Sequence, residues 1–391
     1  MSKFISPLKI FSGAGVLSEV IGEIQYYHAS KVMIYADPGI IQVGIVKRLE
    51  NILKENEIAY DLFSEVVPEP PLIIANKAVD TLRKCDADLV IGIGGGSSLD
   101  IAKTAAVLSQ HEGKVEDYLN LTGTKKLLHK GLPKILIPTT SGTGAEVTDI
   151  AVFSLETTKD VITDPLLLAD TAIVDPELTY SLPPRITAAT GVDALTHAIE
   201  AYTSVNASPL TDTLALDAIE RIAQNIRTAV WHGTNIEART ELSLGSLHAG
   251  LSFYNAGVAG VHALAYPLGG LFKIPHGESN AVLLPYIFDY IWPSCVEKMK
   301  RVAKALGVYS SNMTDREAAI ATVQGLYHMV QDVGIPTSLK EFGIKESDIN
   351  QLTEDAFKQT RLLGRSPKPY GINDIRTIYE RSLRGELQLG R

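Results

Sequence analysis

From Lys31 to Val174 the chain alternates short β-branched apolar runs with longer amphipathic stretches. Lys31-Val-Met-Ile-Tyr-Ala predicts a buried strand that stops at Asp37-Pro38-Gly39, and Ile45 to Asn56 carries its apolar residues at helical spacing. Ile58 to Phe63 reads as a strand again and Ala75 to Lys84 as a helix. Asp88 to Ile93 and Ile135 to Pro138 add two further strands. This alternation predicts a mainly parallel sheet with helices on both faces. After Pro183-Pro184 the pattern changes. Ile186 to Tyr202, Leu210 to Trp231, Ala238 to Phe253 and Val296 to Leu306 repeat their apolar residues with a helical period, and strands become scarce. The pattern predicts an α/β domain over residues 1–183 and an all-helical domain over residues 184–391.

Composition narrows the class without changing that division. With 391 residues, 45% hydrophobic and 21% charged, the chain is ordinary for a globular protein and long enough to bury a sizeable core. Thirty-six basic residues against 45 acidic ones leave a net charge of −9. That balance, with no basic run, argues against a nucleic-acid partner. Cys85 and Cys295 stand far apart without paired spacing, which argues against a disulfide framework or a thiolate zinc site and suits a reducing compartment. The amino terminus lacks a signal-peptide stretch, and no apolar window approaches the ~20 residues of a membrane span. These features predict a cytoplasmic protein with no membrane partner.

The first chemical signal is Leu89-Val-Ile-Gly-Ile-Gly-Gly-Gly-Ser-Ser-Leu-Asp100. A strand ends in Gly94, Gly95, Gly96 and Ser97, and a helix follows at once. Such glycines admit close backbone approach, and amides at a helix start point at a bound anion. Asp100 can orient the loop or hydrogen-bond a ribose. The pattern departs from GxGxxG because Ser97 stands where the third Gly would fall, and a lone glycine triplet fits an ordinary tight turn equally well. A second loop, Pro138-Thr-Thr-Ser-Gly-Thr-Gly144, also follows a strand, with a helix expected from Ala145 onward. Two polar glycine loops at strand ends share one edge of a parallel sheet, where ligands bind. Asp37 ends a third strand. Its carboxylate suits a ribose 2′-OH and repels a 2′-phosphate, which favours NAD over NADP, although Asp-Pro-Gly is also plain turn chemistry.

The helical half carries Thr190-Gly-Val-Asp-Ala-Leu-Thr-His-Ala-Ile-Glu-Ala-Tyr202. Asp193 and His197 are i and i+4 and share one helix face. Apolar neighbours make that face a buried one, and a buried carboxylate needs a partner or a metal. Downstream stand His262 and His276. One Asp with three His offers oxygen and nitrogen ligands suited to Fe²⁺, Zn²⁺ or Mn²⁺, although any one of these histidines alone is more often a core or surface residue. His28, His111, His129 and His232 sit in polar or turn-like contexts and are expected to face solvent. Glu200, one turn beyond His197, is placed to stand behind the ligands, although an exposed helix carboxylate is the commoner case.

Taken together, Ile10-Phe-Ser-Gly-Ala-Gly, Gly94 to Asp100, Thr139 to Gly144, Asp193 to Glu200, Val261 to Gly270, Pro275-His-Gly277 and Gly334-Ile-Pro-Thr-Ser-Leu-Lys make the chain resemble the iron-containing (group III) alcohol dehydrogenase family, nearly end to end. The resemblance implies an amino-terminal Rossmann-like parallel-sheet domain, a carboxy-terminal helical metal-binding domain and a cleft between them, the architecture shared with dehydroquinate synthases. It implies metal ligands at Asp193, His197, His262 and His276, and a pyrophosphate against Gly94, Gly95, Gly96 and Ser97 with Asp100 on the nicotinamide side. It also places Thr139, Thr140, Ser141 and Thr143 in a second cofactor loop, Lys159 near the cofactor ribose and Glu69 towards the adenine-side ribose. The activity implied is metal-assisted hydride transfer between NAD(H) and a short-chain alcohol or aldehyde, by a homodimer.

Two positions depart from the family pattern. Where its alcohol dehydrogenases usually carry a histidine four residues after the third ligand, this chain has Tyr266. A phenol with an ordinary pKa of ~10 is a poorer proton acceptor at neutral pH than an imidazole at ~6.5, yet it still donates a hydrogen bond. Asp149 replaces a neutral polar residue found in some members. Both suggest a substrate bearing an acidic group, and the alternative activity is a hydroxyacid–oxoacid transhydrogenase that retains its cofactor. Tyr266 is equally compatible with a tolerated variation that leaves the substrate class unchanged.

Overall fold

In the computed structural model of the chain, which describes residues 3–155 and 159–389, the apolar runs of the first half become strands β1 (Lys9–Ser12), β2 (Lys31–Tyr35), β3 (Ala59–Phe63), β4 (Leu89–Gly94), β5 (Lys134–Pro138), β6 (Ile150–Ser154), β7 (Lys159–Thr163) and β8 (Thr171–Val174). Six of them form one sheet in the order β1-β8-β5-β4-β2-β3, every neighbouring pair parallel. Side chains alternate across it. Met33, Tyr35, Val90 and Leu136 enter one core layer, while Val32, Ile34, Leu89, Ile91, Ile135 and Ile137 enter the other. Apolar residues on both faces are what a helix-covered parallel sheet requires. The helices that cover it are α1 (Val20–Tyr26), α2 (Pro38–Gln42), α3 (Ile45–Glu55), α4 (Leu72–Arg83) and α5 (Gly96–Leu108). The strand order reverses between β2 and β4, so the loops after these strands meet at the switch point where open α/β sheets bind ligands.

One local expectation fails here. No helix follows Ala145. A single 3₁₀ turn, Ala145–Val147, gives way to β6, which pairs antiparallel with β7 in a separate two-stranded sheet. The run Ile150-Ala-Val-Phe is β-branched and aromatic, and its burial alternates along the strand. That is the residue pattern of a half-buried strand rather than of a helix.

By packing, the chain divides into two compact units. One spans Ser6–Ser181, and the other runs from Leu182 onward and includes Ile5. Among the described residues the second unit contains no strand. Its long helices are α6 (Pro184–Thr203), α7 (Pro209–Trp231), α8 (Ile236–Ala256), α9 (Gly260–Phe272) and α10 (His276–Ile291), followed by Val296–Ala305, Asp315–Asp332, Ile349–Phe357 and Ile372–Arg384. α6 begins on Pro184, whose fixed φ suits a first helical position. Its middle is buried all round, from Gly191 to Thr203, so it is the central helix of its unit. The α/β plus all-α architecture expected from the hydrophobic pattern is the one observed. Among the described residues no helix is long and apolar enough to cross a membrane.

Candidate functional site

Three helices of the second unit bring together one carboxylate and three imidazoles. Asp193 and His197 lie one turn apart on α6, His262 falls in the first turn of α9, and His276 begins α10 after Pro275. α10 reaches α6 because residue 277 is glycine. A Cβ there would stand 2.4 Å from the carbonyl oxygen of Ala189, closer than two packed atoms can come. One ligand atom from each of the four residues lies within 4.8 Å of the others. His262 Nε2 is 3.0 Å from His197 Nε2, and Asp193 Oδ1 is 3.7 Å from His276 Nε2 and 3.9 Å from His262 Nε2. A tetrahedral ion bonded at roughly 2.0–2.2 Å sets its ligands roughly 3.4 Å apart, so the spacing fits one divalent cation. Asp193, His197 and His262 are buried and His276 is partly exposed. Burial pushes the Asp193 carboxyl up, but the imidazoles of His197, His276 and His262 and the Asn280 amide outweigh it and hold it below the usual range.

A second ring of polar groups surrounds these four. Glu200 is not the exposed helix carboxylate expected from sequence: it is 1% exposed. Its Oε1 accepts from the Val261 amide at 2.6 Å, and its Oε2 lies 2.6 Å from His262 Nδ1. Asn280, which sequence reasoning missed, donates from Nδ2 to Asp193 Oδ1 at 2.7 Å and lies 3.1 Å from His262 Nε2. Spacing places both residues on the ligand-bearing faces of their helices but does not name their partners. Asp193, His197 and Glu200 are i, i+4 and i+7 on one helix, and Asn280 is i+4 from His276. Tyr266 follows His262 by one turn. It is partly buried, with its ring centroid 6.4 Å from that of His276, and burial raises its hydroxyl pKa.

In the first unit, β4 delivers the glycine loop and α5 begins at Gly96. No side chain caps this helix, and although the Ser98 amide already donates to the Gly95 carbonyl at 3.0 Å, the Gly96 and Ser97 amides ahead of it can meet an anion. Gly94 needs its hydrogen side chain: its φ is 146°, and a Cβ would come 2.5 Å from Ser98 Oγ. The second loop lies alongside. The Thr139 amide donates to the Gly94 carbonyl at 2.9 Å, and a Cβ on Gly96 would stand 2.9 Å from Thr143 Oγ1. Thr139 Oγ1 is buried without a hydrogen-bond partner among the described residues, Thr140 stands against Gly95, and Ser141 is buried.

The remaining cofactor candidates divide into two groups. The Glu69 amide donates to Ser97 Oγ at 3.2 Å, and Glu69 Oε1 accepts from Lys159 Nζ at 2.6 Å, so these three meet beside the glycine loop. Asp37 caps α2, accepting from the Gly39 and Ile40 amides through Oδ1, while Oδ2 lies 3.4 Å from Ser98 Oγ. Turn chemistry therefore occupies one Asp37 oxygen and leaves the other towards the glycine loop. Asp100 turns inward: Oδ2 accepts from the Val152 amide at 3.0 Å, and Oδ1 pairs with Lys103 at 2.9 Å. Lys103, itself fully buried, also donates to the carbonyls of Ala145 and Ile150. Asp149, in the same segment, is buried. His111 corrects another expectation. It is buried, with Nδ1 on the Val107 carbonyl and Nε2 accepting from the Leu128 amide, because the loop after α5 folds back over it.

The family description "Iron-containing alcohol dehydrogenase" matches residues 7–176, and "Fe-containing alcohol dehydrogenase family, C-terminal" matches residues 187–383. The chain is 54% identical over 387 residues to the long-chain-alcohol dehydrogenase 1 of Geobacillus thermodenitrificans, covering 99% of this chain and 98% of that one. A crystal structure of 1,3-propanediol oxidoreductase superposes with a TM-score of 0.93 at 34% identity, covering 98% of this chain and 100% of that one. Sulfoacetaldehyde reductase from Bifidobacterium kashiwanohense in complex with NAD+ superposes with a TM-score of 0.90 at 27% identity, covering 99% and 100%.

Proposed function

The chain belongs to the iron-containing alcohol dehydrogenase family, and from that premise we propose that it is an NAD-dependent, divalent-metal-dependent enzyme interconverting alcohols and aldehydes. Asp193, His197, His262 and His276 would hold the ion, Fe²⁺ by preference with Zn²⁺ or Mn²⁺ as substitutes. The observation that carries this reading is the convergence of one carboxylate and three imidazoles within 4.8 Å, at a spacing that suits one divalent ion. When bound, the ion supplies Lewis acidity to an alcohol or carbonyl oxygen, and the nicotinamide accepts or supplies a hydride.

The chain's own groups have narrower tasks. The amides that open α5 and the hydroxyls of Thr139, Thr140, Ser141 and Thr143 bind the dinucleotide, with Lys159 adding positive charge beside Ser97 and Glu69. Asp37 Oδ2, which accepts from Ser98 Oγ at 3.4 Å, has a second lone pair for a ribose hydroxyl and would repel a 2′-phosphate, which supports NAD over NADP. Asp100 contributes from below, through the loops it holds. Tyr266 keeps its proton at neutral pH, because burial raises its pKa, so it donates a hydrogen bond to a substrate oxygen and does not act as a base. The two free thiols favour a reducing compartment, and the family resemblance implies a homodimer, which sedimentation tests.

The test is turnover. Metal-stripped protein is mixed with NADH or NADPH, given back Fe²⁺, Zn²⁺ or Mn²⁺, and offered short, long, neutral and acid-bearing aldehydes. Metal-dependent oxidation of NADH in preference to NADPH is expected. Turnover that is indifferent to metal would sink the reading.

A further inference from the structure

Glu200 stands outside the ligand set, yet its two oxygens are committed to the segment that carries His262. The chemistry of this contact follows from the atoms on both sides of the imidazole. Glu200 Oε2, an acceptor, lies 2.6 Å from His262 Nδ1, so the ring proton sits on Nδ1. The lone pair is then on Nε2, which faces Asn280 Nδ2 at 3.1 Å and His197 Nε2 at 3.0 Å. At the same time the Val261 amide donates to Oε1, and this fixes the start of α9 against α6. Both Glu200 and His262 are buried, so no water competes for these bonds.

We propose that Glu200 is a positioning residue for the metal: it locks His262 in the Nδ1–H tautomer and aims Nε2 at the ion. The inference rests on the metal site proposed above. A carboxylate behind a ligating histidine raises its basicity and fixes its ring, and loss of such a partner typically weakens metal binding ~10–100-fold. Asn280 works from the other side, holding Asp193 Oδ1 and meeting lone pairs of His262 and His276.

The experiment titrates the full-length holoenzyme with a chelator and follows metal release, in wild type, Glu200→Gln and Glu200→Asp. Apparent affinity in Glu200→Gln should fall ~10–100-fold, with part of the loss recovered in Glu200→Asp and NADH affinity unchanged in both. A Co²⁺-substituted Glu200→Gln protein should also show a shifted visible spectrum. Nitrogen-detected NMR of labelled histidines in the wild-type apoprotein should report Nδ1–H for His262, a readout that no loss of fold in a variant can confuse. Metal affinity in Glu200→Gln within twofold of wild type, or an Nε2–H tautomer at His262, would overturn the proposal. Failure of wild type itself to retain a divalent ion would overturn the metal site, and this inference with it.

Discussion

Glu146 provides a quantitative test of how the second loop is built. It sits on the 3₁₀ turn after Gly144, is 3% exposed, and has Lys103 as the cation in its surroundings. Burial pushes its carboxyl up from 4.5 to about 7, further than its own backbone amide and Lys103 bring it down. The folded protein therefore keeps a proton that the unfolded chain gives up near pH 4.5. Stability linked to this group is complete below that pH and is lost as pH rises through about 7. A shift of this size at ~1.4 kcal/mol per unit amounts to about 3 kcal/mol. Glu146→Gln replaces the carboxyl with a neutral amide of the same shape and removes the penalty. Unfolding by urea at pH 5, 6, 7 and 8 should show the variant ahead by about 1 kcal/mol at pH 5, with the gap widening to about 3 kcal/mol by pH 8. A difference that stays constant over this range would refute the reasoning, because a packing effect carries no proton.

Three further outcomes are expected. Lys103→Met strands the buried Asp100 carboxylate and should cost about 3–5 kcal/mol, while releasing the Ala145–Ile150 segment and raising the Kd for NADH. If adding Asp100→Asn to it recovers no stability, the pair is not the cause. Asp193→Asn should abolish stoichiometric metal retention and lower kcat/KM at least ~100-fold while NADH binding persists, and metal analysis with fluorescence titration separates the two. Tyr266→His introduces a group of ordinary pKa ~6.5 where wild type has a phenol held above its usual range, so the kcat/KM profile should gain a new acid limb. An unchanged profile and substrate ranking would make Tyr266 a neutral replacement.

What could be read from the sequence was what short-range spacing determines. The β4–glycine–α5 turn, the short β-branched apolar runs that became strands, and the Asp193–His197 pair on one turn of α6 each depend on neighbours a few residues away. What escaped depended on distant partners. Glu200 meets His262 across 62 residues, Asn280 meets Asp193 across 87, and Lys103 meets Ile150 across 47. The hairpin after Ala145 escaped for a related reason, since β6 is stabilised by β7 rather than by its own spacing.

Glu200 nevertheless shows that part of the distant information was present locally. Val192, Ala194, Leu195, Ala198, Ile199 and Ala201 surround the Asp193–His197–Glu200 stripe and leave α6 no polar side to turn to water. A helix apolar all round is a buried helix, so a carboxylate within it cannot be a solvent marker. Burial without a partner would cost several kcal/mol, and a chain that keeps such a group must supply donors to it from elsewhere. The structure supplies them from the start of α9, one of which is a ring nitrogen of His262. The charged residue that looked least compatible with its helix thereby pointed to the second layer of the metal site, and the same reasoning, applied to the apolar surroundings of Lys103 on α5, leads to Asp100 and the second loop.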